Sequence, residues 1–182
     1  MAYAAAARRG VDWLVGQDSA TLERIGRWRG PRAAAMARML TRAGDTGSWF
    51  VHCGVLLSVG GGNSPPVAPA AVLAVLLATG VSQGLKRSLR RPRPTEALAG
   101  FAATEPDPDA FSMPSGHTAA ACSVATATFS LAPALGAAEW ALAAGIAASR
   151  IVLGAHYPLD VLVGAALGVA CGRIALTVLG LG

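Results

Sequence analysis

Three groups of polar residues interrupt an otherwise apolar chain, and their types suit the chemistry of anions. The first is Lys86-Arg87-Ser88-Leu89-Arg90-Arg91-Pro92-Arg93-Pro94, which holds the only lysine in the sequence. The second is Pro114-Ser115-Gly116-His117, directly before an apolar stretch. The third is Ser149-Arg150 followed by Gly154-Ala155-His156-Tyr157-Pro158-Leu159-Asp160. Each has an ordinary reading when taken alone. A basic cluster after an apolar segment anchors a membrane span or meets lipid headgroups. Proline and serine start and cap helices. Arg150 and Asp160 could form a structural pair across a turn.

The chemical readings are sharper. A helix beginning at the second group would aim free N–H groups and its positive dipole end at an anion, and Gly116 would let an oxyanion approach the backbone. Arg150 closes an apolar helix, where an arginine is expensive and marks a function or a buried pair. His156 and Asp160 are four residues apart. The carboxylate can accept the N–H of one ring nitrogen and leave the other as nucleophile or base.

The surrounding composition says which elements must hold these residues. Of 182 residues, 53% are hydrophobic and only 14% charged, with mean hydropathy +0.49. Soluble domains carry roughly 25% charge, and disordered chains are polar, so both are poor fits. Residues 46–85 and 110–138 carry no formal charge, and about 20 apolar residues cross a bilayer as a helix. Five spans are expected: 46–62, 67–85, 115–131, 137–153 and 158–179. Asn63-Ser64-Pro65-Pro66 and the stretch from Pro133 to Gly136 read as turns, and 87–113 as a polar loop. Residues 1–16 are not expected to form a signal peptide, because their apolar run is too short. Residues 11–43 mix tryptophan, leucine and methionine with six arginines, the composition of amphipathic helices lying in the membrane interface. The chain is thus expected to divide into an N-terminal amphipathic/interfacial segment (1–45) and a transmembrane domain (46–182).

Other signals are weaker. Cys53, Cys122 and Cys171 lie far apart in apolar stretches, so they read as buried thiols without a disulfide framework or metal site. His52, inside the first span, reads as a satisfied core or interface residue. The pI near 9.9 does not indicate nucleic-acid binding, since no basic stripe is interleaved with exposed aromatics. Sequential up-down spans bring all three polar groups to one membrane face. The positive-inside bias of 14 of the 15 basic residues would make that face cytoplasmic. Lys86, Arg93, Arg150, His117 and His156 would converge there, a cluster that is costly unless it holds an anion of several charges. Phosphate fits, and the planar fork of arginine suits it.

The combined pattern Lys-x6-Arg-Pro, Pro-Ser-Gly-His and Ser-Arg-x5-His-x3-Asp resembles the signature of the type 2 phosphatidic acid phosphatase (lipid phosphate phosphatase) superfamily. The resemblance covers residues 86–160 and leaves the first 45 uncovered. It implies an all-α, multi-pass transmembrane helical bundle of about five spans, with the N-terminal amphipathic helices added. It implies an integral cell-membrane phosphatase in which His156 attacks phosphorus to form a phosphohistidine and Asp160 holds its tautomer. His117 would protonate the leaving alkoxide, and Lys86, Arg93, Arg150, Ser115 and Gly116 would bind the phosphoryl oxygens. No metal or other cofactor is implied, and no nucleic acid; the partners are membrane lipids and an amphiphilic lipid phosphate. Phosphatidate, phosphatidylglycerol phosphate, polyprenyl diphosphate and polyprenyl-linked sugar phosphate all suit such a site. The alternatives are a lipid phosphotransferase using the same intermediate, a vanadium haloperoxidase-like protein, and a non-catalytic lipid-phosphate binding protein.

Overall fold

In lipid, an apolar segment must satisfy its own backbone N–H and C=O groups, so alanine- and glycine-rich stretches between charged turns close into helices. The computed structural model describes residues 2–27, 29–59, 66–104 and 109–182. Among them are eight helices and no strand: α1 (Ala2–Arg27), α2 (Pro31–Ala43), α3 (Thr46–Val59), α4 (Val67–Leu89), the single turn α5 (Pro94–Ala97), α6 (Gly116–Leu131), α7 (Pro133–Val152) and α8 (Pro158–Val178). Helices beginning at Val67, Pro133 and Pro158 are long and apolar enough to cross a membrane, and α3 is a shorter apolar helix over Gly47–Ser58.

Helix α6 is the axis of the bundle and packs against α4, α7 and α8. Every residue from Thr118 to Thr128 is buried. Because protein surrounds it, α6 tolerates hydroxyls that a lipid-facing helix would not. Ser123 Oγ and Thr126 Oγ1 donate back to the carbonyls of Ala120 and Cys122 at 2.8 and 2.7 Å, as such residues do inside helices.

Small residues set how closely the helices approach. Gly164, Gly168 and Gly172 form a four-residue stripe along α8. A Cβ at these positions would lie 2.6 Å from Ser115 O, 2.5 Å from Ala119 O and 2.7 Å from Ser123 O respectively. Only glycine lets α8 seat on α6 at this distance, the small-residue packing common between membrane helices. On α4, Ala74, Ala78, Ser82 and Lys86 follow one another at four-residue spacing on the buried face, so the stripe that packs the helix also carries Lys86 inward.

Some boundaries differ from the sequence expectation. The basic cluster does not end α4 at Leu85: the helix continues to Leu89, with Lys86 and Arg87 in its last turn. The turn expected from Pro133 to Gly136 is instead the first turn of α7. Proline fits position N1 of a helix, and a Cβ on Gly136 would lie 2.2 Å from Phe129 Cα. The expected turn at Asn63-Ser64-Pro65 lies outside the described residues.

Below the polar end, His52 of α3 meets the buried Glu139 of α7 at 2.7 Å, which satisfies the histidine that the sequence leaves isolated. All three cysteines are free and buried. Phe50, Val51, Val55, Leu76, Leu162 and Ile174 face outward, as side chains that meet lipid should.

Candidate active site

The ends of α4, α6 and α8 bring the three polar groups to one end of the bundle, and three contacts close the triangle between them. The Ser115 N–H donates to the carbonyl of Asp160 at 2.9 Å, joining the second group to the third. Arg93 Nη1 donates to the carbonyl of Ala155 at 2.8 Å, joining the first to the third. Lys86 Nζ lies 3.9 Å from where a Cβ on Gly116 would sit, joining the first to the second. Gly116 thus opens α6 directly beneath an ammonium group.

Local sequence explains how each side chain is delivered. Tyr157 has extended backbone and Pro158 takes the first helical position of α8. Asp160 is then the third helical residue, and its Oδ2 accepts the Tyr157 N–H at 2.9 Å as half of a capping box. The same Oδ2 lies 3.6 Å from His156 Nδ1. Asp160 therefore caps its own helix and faces the histidine with one oxygen. Gly154 has φ +76°, and a Cβ there would meet the Phe101 ring at 2.9 Å. A glycine is needed for the chain to turn from α7 toward His156.

His156 is 1% exposed and Asp160 fully buried. Burial pushes the His156 pKa down to about 4; the charges of Arg150 and Arg93 add to this, and Asp160 opposes it. The ring is therefore neutral near pH 7, with a lone pair on one nitrogen. His117 stands apart in a cavity of about 300 Å³, whose lining includes Asp45, Trp49, Thr79, Lys86, Asp109 and Gly116. Its Nε2 is 2.9 Å from Asp45 Oδ1. His156 does not line this cavity.

Ser115 is buried, and its hydroxyl accepts from Thr118 Oγ1 at 3.0 Å. Ser115 is the N-cap residue of α6 by position, but its side chain makes no hydrogen bond to the free N–H groups of the first turn. Arg150 Nη1 donates to Thr41 Oγ1 at 2.6 Å. Lys86 pairs with the carboxylate of Asp109, whose backbone carbonyl accepts from Arg93 Nε.

A profile described as the PAP2 superfamily matches residues 68–180. The chain belongs to the PAP2 superfamily. The decaprenylphosphoryl-5-phosphoribose phosphatase of Mycolicibacterium smegmatis is 36% identical over 142 residues, which are 74% of this chain and 72% of that protein. The protein of the same name from Mycobacterium tuberculosis is 40% identical over 94 residues, so the match spans about half of each chain, 50% and 49%. Among solved structures, LpxE of Aquifex aeolicus superposes with TM-score 0.73 at 29% identity, covering 86% of this chain and 93% of that one. A transmembrane PAP2-type phosphatidylglycerolphosphate phosphatase from Bacillus subtilis shares the fold, with TM-score 0.72 at 20% identity over 92% of this chain and 86% of that one. With its apolar helices, the chain is a membrane protein of this superfamily.

This PAP2 chain uses residues that motif reading passes over. Asp18 (7% exposed), Thr41 and Asp45 all lie N-terminal to the residues that match the family. Each contacts a residue of the matched region: Arg91, Arg150 and His117 respectively. No spacing rule links positions so far apart. The glycine stripe at 164, 168 and 172 does have a sequence signal, the repeat of small residues every fourth position.

Proposed function

We propose that this PAP2 chain is a cell-membrane phosphatase that hydrolyses a polyprenyl-linked sugar phosphate through a phosphohistidine. The observation that carries the reading is the buried, neutral His156 facing Asp160 within the influence of Arg150 and Arg93, with Lys86, Gly116 and His117 lining a cavity at the same end of the bundle.

The chemistry follows from the residues. One nitrogen of His156 attacks phosphorus, and the bond to the leaving oxygen breaks as the N–P bond forms. Nδ1–H stays turned to Asp160, which steadies the positive charge that develops on the ring. His117 donates a proton to the departing alkoxide. It then takes one from the water that attacks phosphorus, the N–P bond breaks, and inorganic phosphate leaves. Lys86, Arg93, Arg150, the Ser115 hydroxyl and the Gly116 backbone hold the phosphoryl oxygens as their charge grows. Because the Asp109 carboxylate rests on Lys86, a phosphate must displace it to bind there.

The substrate class is supported by two observations. The cavity at His117 shares Trp49, Val75 and Thr79 with an apolar cavity of about 180 Å³ between α3 and α4, whose lining also includes Phe50, Cys53, Val72 and Leu76. A phosphate at Lys86 could thus leave its hydrocarbon chain lying toward lipid. The mycobacterial relatives are named for a decaprenyl-linked phosphoribose, which favours that class over phosphatidate, phosphatidylglycerol phosphate and polyprenyl diphosphate. The test is phosphate release from these four lipids by the purified protein. The polyprenyl-linked sugar phosphate is expected to have the highest kcat/KM by at least ~10-fold, about 1.4 kcal/mol of discrimination. Equal turnover of all four would overturn the assignment of substrate. Transfer of the phosphoryl group to a lipid acceptor without phosphate release would overturn hydrolysis.

A further inference from the structure

The buried carboxylate of Asp160 has a second oxygen, and its environment reaches back into the N-terminal helix. Asp160 Oδ1 accepts from Arg91 Nη1 at 2.6 Å. Arg91 Nη2 donates to Asp18 Oδ2, also at 2.6 Å. The other oxygen of Asp18 accepts the Leu159 N–H at 2.8 Å. The Arg91 guanidinium also lies over the Tyr157 ring, 4.0 Å from its centroid. One arginine is thus held by two carboxylates and an aromatic face, and the far carboxylate is tied to the backbone beside Asp160.

This arrangement is more than a neutralising pair. Arg91 with Asp160 alone would have no net charge, and a neutralised carboxylate is a weak partner for an imidazole that becomes positive as it attacks phosphorus. Asp18 offsets the arginine, so the three side chains together carry one negative charge next to His156. Arg91 still contributes direction: a planar fork bridging two carboxylates fixes both. With Oδ1 held by Arg91, Oδ2 is left to face Tyr157 N and His156. Burying Asp18 without partners would be costly; here it has two.

We propose that Asp18 and Arg91 are positioning residues of the reaction, forming a chain Asp18–Arg91–Asp160–His156 that makes α1 part of the catalytic unit. This rests on the assignment of His156 and Asp160 made above. Helix α1 lies outside the residues that match the family. The chain therefore adds a member from a segment that the sequence reading assigned to the membrane interface.

The experiment is a double-mutant cycle on the full-length protein in detergent, with kcat, KM and thermal midpoint measured for each variant. Asp18→Asn keeps the shape and removes the charge. It is expected to lower kcat by ~10-fold or more and leave KM within ~3-fold, since the phosphate ligands are untouched. In an Asp160→Asn background it should cost less than ~2-fold, because its effect passes through Asp160. Arg91→Lys, which keeps a cation but loses the fork, should behave the same way and serves if Asp18→Asn does not fold. Wild-type kcat in a folded Asp18→Asn or Arg91→Lys protein would overturn the proposal. So would an equal fold-loss with and without Asp160, since that marks a structural effect independent of the pair. Asp160→Asn at wild-type kcat would remove the assignment of the site itself, and the proposal with it.

Discussion

Replacing Gly164 by alanine would put a methyl group 2.6 Å from the carbonyl oxygen of Ser115. A carbon settles at about 3.3 Å or more from a carbonyl oxygen, so α8 and the start of α6 must part by about 0.7 Å. Alanine at Gly172 creates a similar conflict, with Ser123 O and Thr126 Cβ each at 2.7 Å. Overpacking of this kind costs about 1–3 kcal/mol, so both variants should lose comparable thermal stability. Their effects on turnover should differ. Gly164 touches Ser115, whose N–H is bonded to the Asp160 carbonyl, and the displacement falls between His117 on α6 and His156 ahead of α8. Gly172 lies two turns further down α8, about 12 Å along its axis. Misplacement of about 1 Å can cost roughly 10²-fold in rate. Gly164→Ala is therefore expected to lower kcat by ~10- to 100-fold, and Gly172→Ala by less than ~3-fold. The assay pairs phosphate release with a thermal-shift measurement on each purified variant. If Gly172→Ala slows turnover as much as Gly164→Ala at equal loss of stability, the helix contact does not set the catalytic geometry. Wild-type kcat in Gly164→Ala would refute the reasoning outright.

Four further outcomes follow from the site. His156→Ala should abolish turnover by at least ~10³-fold, as loss of a covalent nucleophile does. His117→Ala and, more weakly, Asp45→Asn should cost least on a substrate with a good leaving group, where protonation matters little; equal losses on diphosphates and simple monoesters would contradict the acid role. Activity should persist in excess EDTA, because the proposed phosphate ligands are the cationic side chains of Lys86, Arg93 and Arg150, which can neutralise the phosphoryl oxygens themselves; loss on chelation with recovery in Mg²⁺ would refute this. Finally, His156 binds its proton at about pH 4 when folded and near the ordinary histidine value of about 6.5 when unfolded. Between these values the unfolded chain holds more protons, so stability should fall as pH drops through that window. Thermal midpoints measured from pH 7 to 4 should show a shallower decline in His156→Gln than in the parent, and parallel curves would contradict the buried neutral ring.

Much of the site was legible because its chemistry sits in short local patterns. Lys86, Arg93, Ser115, His117, Arg150, His156 and Asp160 are polar residues in or between apolar stretches, and membrane burial makes such exceptions conspicuous. The spacing of His156 and Asp160 follows from one helix start. The order of the apolar segments is enough to put all three groups at one end. What these patterns lacked were partners far away in the chain. Asp18 looks like any charge on an amphipathic helix, Asp45 like the last charge before a span, and Arg91 like one more arginine in a basic run.

Charge-free apolar stretches and motif spacing by themselves pointed to a helical membrane bundle with a cluster of cationic and histidine side chains at one end, because lipid leaves the backbone one way to satisfy itself within a span and penalises every unneeded charge. The tertiary structure alone decided that α1 reaches Asp160 through Arg91, that Asp45 stands beside His117, and that α8 seats on α6 along three glycines. Those contacts depend on how whole helices approach one another, and side-chain volumes summed over several elements set that approach. The glycine repeat marks a face of α8 that can pack closely, but no local run of residues encodes which helix it meets.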